Sequence, residues 1–369
     1  MFGKSNVTAY AKMQGAKGAA ASIANTDAVD FNRDSTLVFP KGRQIQRGLN
    51  RFGRFPSKQS VAGRYGEGGY NMELRGSGTA GTPPNGLSPF LETLFGTKAV
   101  NAADTVDIGS GTTTGFDCAA SLTVGQLVRV AIGAGFEIRI VDSKTGAGPY
   151  TYTVSKAFSL APADGAEISA GVSFFHLGTE AANFFTLEQY IKSIRYLCVD
   201  AVCESMAVSI SDEDVIKSTF ALRTSSCTDT AATVDPYTPV YDDSPELVGL
   251  ECNLILGSTA TNMKQAEFSL KTRREIGGIN SSGISDLPFA NNFEATGKIT
   301  PWMEDAAPFT AFFAGTVADI EITKGVAGNQ LYILQQDVQY NGPEVSDDNG
   351  DFQWNLPYNI TGGVWLGLF

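Results

Sequence analysis

The sequence predicts a mainly β protein: a sandwich or barrel flanked by one or two short helices and carrying a small inserted β module. Three observations predict it. Gly makes up 40 of 369 residues, above the usual ~7%, with no three-residue period, which fits many turns and therefore many strands. Apolar residues alternate with polar ones in several stretches, the period of a half-buried strand. Only two short stretches carry a helical pattern, around residues 88–96 and 307–314.

Taken in order, residues 1–30 are rich in Ala, Gly, Asn and Ser and read as an N-terminal arm. Residues 33–64 are basic, with strand-like pieces at Ser35–Phe39 and Ser60–Ala62. Tyr70–Arg75 alternates, with Tyr70, Met72 and Leu74 on one side. A helix follows, with Ser88 as N-cap, Pro89 at the first helical position, Gly96 as the stop and one stripe of Phe90, Leu91, Leu94 and Phe95. Such a stripe belongs in a core. Residues 97–112 are small and polar and read as a linker. Residues 113–178 form a compact pattern of short strands (Leu127–Ile132, Phe136–Val141, Tyr150–Val154) separated by Gly-rich turns and closed by Phe174-Phe175. This reads as an independent insertion, which divides the chain into an arm (1–32), a first half (33–104), a module (105–180) and a second half (181–369).

Beyond the module, Phe185–Tyr196 is strand-like. Asp200–Ile210 is a longer strand with Val202, Met206, Val208 and Ile210 on one side and Glu204 intruding. Asp212-Glu213-Asp214 marks a hairpin tip, from which Val215–Thr224 returns. Glu251–Leu256 and Ala266–Arg273 are further strands, and Ala307–Ala314 is a second helix stopped by Gly315. Asn349-Gly350 is a preferred pair for a type I′ turn, and Phe352, Trp354, Leu356, Tyr358 and Ile360 alternate after it. Pro357, on the polar side, suits an edge strand or the exit from one.

Composition excludes several functions. His176 is the only histidine, which nearly rules out catalytic triads, His-ligated zinc and His-based acid–base chemistry from this chain alone. The five cysteines lack CxxC spacing and are odd in number, so neither a zinc site nor a disulfide framework is expected, and Cys198 and Cys203 read as small core residues. A reducing compartment is the simplest origin. No signal peptide and no membrane span are visible. The net charge of −12 makes general nucleic-acid binding unfavourable. The charge is split, however. Residues 1–100 hold 13 Lys and Arg against 6 Asp and Glu, a net of +7, and the remainder carries −19. Copies with two opposite surfaces can dock head to tail.

Three motifs in the sequence resemble known binding elements. Residues 76–81 match GxGxxG, but Pro83-Pro84 follow at once and prevent the helix a dinucleotide site needs. Asp347–Asp351 lacks the full spacing of a calcium loop. The run Arg47, Arg51, Arg54, interleaved with Phe52 and Phe55, suits either phosphate contacts or docking on an acidic surface of a neighbouring copy, and the acidic remainder of the chain favours docking. Carboxylates are numerous, but no feature selects a hydrolytic pair. No cofactor or metal is expected.

Residues 57–98, a strand, a Gly-rich turn, an alternating strand, a loop and a helix ending in LFG, resemble the tail tube proteins of long-tailed, siphovirus-like bacteriophages. Residues 184–214 and the closing hairpin 336–360 are similar in style, and the stretch FDCAASLTVGQLVRV resembles an accessory β module of longer members. The resemblance implies a tail-tube-type β-sandwich or barrel and a non-enzymatic virion protein assembled in the host cytoplasm. Six copies would close into a ring, rings would stack, and double-stranded DNA would pass through the bore during ejection. The implied partners are further copies of the chain, the tape measure, the tail terminator and the distal tail protein, with no membrane. A terminator or decoration protein is the alternative, and a carboxylate hydrolase a weaker one. Three expectations follow: the module lies on the outer face of the tube; Arg43, Arg47, Arg51 and Arg54 carry ring stacking; and the bore is lined by acidic or neutral polar groups, with Asp200 and Glu204 as lumen-facing candidates.

Overall fold

The structure, a computed structural model, describes residues 7–45, 60–176, 183–250, 252–257, 259–272, 278–279, 285–286, 293–302, 307–348 and 351–369. Strands dominate, as the alternation and the Gly content predict. A 17-stranded sheet is antiparallel throughout its described pairings and runs from Phe39–Ile45 through Ser60–Glu73, Lys217–Ala231, Ile194–Ser211, Met263–Thr272, Phe293–Pro301 and Asp351–Ile360. It continues through Leu331–Tyr340, Val364–Leu368 and Gly171–Phe175 to Thr97–Asn101. The sheet curls on itself, so one core joins Tyr70, Met206, Phe220 and Phe268 to Ile333, Trp354 and Leu366.

The helix Ser88–Phe95 lies in that core, against Ile194–Ser211, Gly171–Phe175 and Thr97–Asn101. The Phe90 ring meets Tyr70, Phe185 and Phe220 with centroids 5.7, 5.1 and 5.4 Å away. Gly96 ends the helix in a left-handed conformation (φ 83°), and its N–H donates to Glu92 O at 2.9 Å. The start differs from expectation. Leu87 is the cap residue, Ser88 is already helical, and its buried hydroxyl has no partner, so Ser88 does not cap the helix. The second helix spans Ala307–Ala314, as expected.

Four further readings are corrected. Val7–Met13 of the arm is a strand paired with Phe185–Ile191. Ser35–Val38 is irregular, and the strand begins at Phe39. Within the expected linker, Thr97–Asn101 is a strand of the large sheet, because its neighbour Gly171–Phe175 supplies the ladder. The Phe185–Tyr196 stretch breaks at Lys192 (φ 56°) into Phe185–Ile191 and Ile194–Ser211. A strand called from alternation alone is also misaligned at one place. A β-bulge between Cys203 and Ser205 shifts the side-chain parity, so Cys203 joins Met206, Val208 and Ile210 in the main core while Val202 packs on Phe184.

A second sheet of six strands is built from Asp104–Ile168 alone and encloses its own core around Phe116, Val128, Val141 and Tyr152. Gly171–Phe175, with Phe174 and Phe175, falls outside it and belongs to the large sheet. The small sheet is docked rather than tethered. Leu127, Ile138 and Ile140 pack on Tyr332, Leu334 and Phe369. The Trp365 indole N–H donates to Gly125 O at 2.9 Å. Residues 233–247 run without regular structure and fasten distant parts of the chain. Asp235 accepts from Tyr10 OH at 2.9 Å, Asp242 from the Asn85 N–H at 2.7 Å, and Pro245 O from Asn329 Nδ2 at 2.7 Å.

Candidate assembly surface

Because successive strand residues point to opposite faces, the wall from Ser60–Glu73 to Phe293–Pro301 that buries the core residues above must carry its remaining residues outward. That outer face is polar and small. Its centre holds Ala207, Ser209, Thr219, Ser269 and Thr296, which line a shallow depression of about 500 Å³ together with Lys217, Glu267 and Lys298. Around the centre, opposite charges face each other across neighbouring strands. Glu73 stands opposite Lys217, Glu67 opposite Arg223, Glu267 opposite Lys298, and Glu294 opposite Lys271. Such cross-strand pairs stabilise a sheet by roughly 0.2–1 kcal/mol each. They also leave a face whose charges nearly cancel.

The two candidate acids occupy irregular points of one strand. Asp200 has φ 54°, a left-handed conformation that Asp tolerates better than most residues. It is 3% exposed. Its carboxylate accepts from the Gly18 N–H at 2.6 Å and the Ser225 hydroxyl at 2.8 Å. The Gln14 amide, oriented to satisfy both ends, adds a donor to Asp200 Oδ1 at 2.8 Å and an acceptor for its backbone N–H at 3.1 Å. Asp200 therefore fastens the loop after the first strand, and its carboxylate is enclosed within the chain, not presented to solvent. Glu204 is the extra residue of the bulge, and its Oε1 lies 2.9 Å from Arg223 Nε.

Of the basic candidates, Arg47, Arg51 and Arg54 lie outside the described residues, as does the side chain of Arg43, although Arg43 itself falls in the strand Phe39–Ile45. The Asn349-Gly350 pair is outside them too, but Asp348 pairs with Asp351 on either side of it. What sequence reasoning missed is the alternating-charge face. Its signal was present in the Glu267, Ser269, Lys271 alternation, but the charge partners sit on strands whose register only the fold supplies.

Burial pushes the Cys118 thiol up to about 12 and Cys252 to about 11, the reverse of an activated nucleophile. Cys198 and Cys203 are buried core residues, as expected. No group of three or more His, Cys, Asp or Glu suited to a metal ion exists among the described residues, and no described helix is long and apolar enough to cross a membrane.

A curled antiparallel sheet with a broad outer face of opposed charges and a docked side module defines a mainly β protein with a large exposed sheet surface. The sequence matches the family model described as phage tail tube protein over residues 7–360, and the chain belongs to that family. No curated protein matches the chain significantly. Membership makes the chain a structural component of a phage tail.

Proposed function

We propose that six copies close into a ring, that rings stack into the tail tube of a siphovirus-like phage, and that the charge-balanced sheet face lines a bore through which DNA passes into the host. The observation that carries this reading is the face itself. Duplex DNA bears one charge per ~1.7 Å of axis, so a bore rich in uncompensated Lys and Arg would hold it. A face of small polar residues, each cation standing opposite an anion, offers water and little net attraction. This refines the expectation of acidic or neutral groups toward neutral ones, and it replaces Asp200 as the lumen candidate with the row Glu267, Ser269, Lys271.

Stacking is assigned to the basic run Arg43, Arg47, Arg51 and Arg54 meeting an acidic surface of the next ring, on the strength of the +7 and −19 division of the chain. The tape measure, terminator and distal tail proteins are the expected neighbours. Electron microscopy of the purified protein at several salt concentrations tests both claims. Long tubes with six-fold end views support the reading; single rings favour a terminator role; compact monomers at all concentrations overturn it. Changing the four arginines together to Ser is expected to shorten or abolish tubes while leaving rings, and to remove the salt dependence of polymerisation.

A further inference from the structure

The strands of the large wall have two chemically different ends. At one, Ile45 pairs with Ser60, so residues 46–59 leave and re-enter the sheet there. From Ser60 the strand runs to Glu73, which lies level with Lys217, and the register continues across Ser209, Glu267 and Lys298. At about 3.3 Å per residue, the strand sets the two levels ~43 Å apart.

The far end is acidic. The hairpin tip Asp212-Glu213-Asp214 is half-exposed to exposed. Among the described residues there, this tip with Asp30, Glu73 and Glu246 outnumbers the cations Arg75, Lys217, Lys264 and Lys324. Beside the tip an apolar groove opens. The Asp212 N–H donates to Lys264 O at 3.2 Å, and the next residue, Met263, pairs with Pro301 at the groove's edge. The groove holds about 240 Å³ and is lined by Trp302, Pro308, Ala311, Ala318, Tyr340 and Trp354. That is the space of several waters, enough for one phenyl ring. The helix Ala307–Ala314 forms one wall, and its Phe313 is 81% exposed. Apolar surface gathered at one place and rimmed by charge marks a contact site.

The opposite end carries the complement in its sequence. Residues 46–59 hold Arg47, Arg51, Arg54 and Lys58 and no acid, with Leu49, Phe52 and Phe55 between them. A chain cannot fill its own groove with this segment. Anchored at both ends, the segment reaches at most ~24 Å, well short of the far end. We propose that the groove receives Phe52 or Phe55 from residues 46–59 of a second copy docked head to tail, with the flanking Arg and Lys against the acidic end. The arrangement of copies rests on the stacking reading above; the proposal adds the receiving surface. Burial of the ring supplies most of the affinity, while the exposed, screened charges set orientation and association rate. An acidic segment would be repelled there, and a basic one without an aromatic ring would leave the groove open to water.

A labelled synthetic peptide of residues 46–59, titrated into full-length protein kept unassembled by dilution, tests the contact by fluorescence anisotropy. Saturable binding is expected. Replacing both Phe52 and Phe55 by Ser in the peptide, or filling the groove with Ala311→Trp in the protein, is expected to weaken it about tenfold. Asp212→Ser with Glu213→Ser is expected to flatten its salt dependence. Circular dichroism shows whether each variant is folded. A second measurement needs no groove variant: benzoylphenylalanine replaces Phe52 or Phe55 in the full-length chain, and a mixture of ¹⁴N- and ¹⁵N-labelled protein is irradiated. Cross-links between isotopes that map to residues 301–318 are expected. Absence of peptide binding, equal binding of the Phe-free peptide, unchanged binding in folded Ala311→Trp, or cross-links confined to one chain or to another region each overturns the proposal. Normal tubes by microscopy alongside such a failure would sink the groove alone. Peptide binding in the groove without tubes would sink the stacked rings and leave the contact between copies standing.

Discussion

Asp200 shows how a residue chosen for its charge turns out to be held by its backbone. An acid in the middle of a long strand reads as surface, but the φ of 54° turns this side chain inward, where the loop holding Gln14 and Gly18 and the strand holding Ser225 converge on it. Asp200→Ala removes the acceptor of the Gly18 N–H and the Ser225 hydroxyl and leaves a poorly tolerated left-handed residue. A loss of about 1–3 kcal/mol is expected in urea denaturation, together with new proteolytic cleavage between residues 14 and 21. Asp200→Asn, which keeps an acceptor and tolerates the same φ, is expected to lose far less; equal losses in the two variants would refute this account. Glu73 makes the complementary pH prediction. Burial, then the nearby Glu246 carboxylate, raises its pKa above the ordinary carboxylate value. A raised folded pKa means that the group's contribution to stability is full below the unfolded pKa and is lost as pH rises through the folded one. Glu73→Gln is therefore expected to raise Tm at pH 7 and to leave it nearly unchanged near pH 3.5. A variant that is destabilised at pH 7 would show that the facing Lys217 outweighs burial.

At the scale of elements, the small sheet is contiguous in sequence but not separable where the sequence suggested. Replacing residues 105–179 with a Gly/Ser linker would remove Gly171–Phe175, which joins Thr97–Asn101 to Val364–Leu368. That variant is expected to be insoluble. Replacing 104–169 instead keeps the strand but uncovers Tyr332, Leu334 and Phe369, each worth roughly 2 kcal/mol of burial. A folded product is expected from it once Leu334 is made Thr and Phe369 Ser, as read by circular dichroism and gel filtration. Recovery of folded protein from the 105–179 replacement would show that this strand is dispensable. The same elements show what was legible in the sequence. A strand with a clean alternation, such as Met263–Thr272, was visible because one face is wet and the other dry, while Leu127–Ile132 was visible as a short apolar run buried on both faces. The helix Ser88–Phe95 was visible because its stripe is flanked by Pro89 and Gly96. Thr97–Asn101 was not, since its TKAVN side chains carry no period and only the neighbouring strand makes it a strand. The bulge at Cys203–Ser205 was invisible for a related reason: an extra residue is defined by its partner, Lys217–Ala231. Of the candidate surface, the alternation was legible but the pairing of charges across strands was not, because register is a long-range property.

At the scale of the whole molecule, the charge balance of the large face is the quantity on which DNA passage would depend. Among the described residues, Glu67, Glu73, Glu204, Glu267 and Glu294 stand against Lys41, Lys217, Arg223, Lys271 and Lys298, so the named charges cancel. Changing Glu267 and Glu294 to Lys adds four positive charges to the face of each chain, a change multiplied by the number of copies around a ring. Both residues are exposed, so subunit stability should move little. Electrostatic binding to phosphates, by contrast, grows with each uncompensated cation and falls steeply with salt. If this face lines the bore, phage carrying the double variant should assemble tails of normal length, eject their DNA more slowly at low salt, and recover normal ejection as salt is raised. The parent should show a much weaker salt dependence. The comparison separates the bore from the outside of the tube, because cations added to an outer surface would bind free DNA in solution without slowing ejection. Normal ejection kinetics at low salt in a tail that contains the variant would place this face elsewhere in the assembly and leave the family membership untouched.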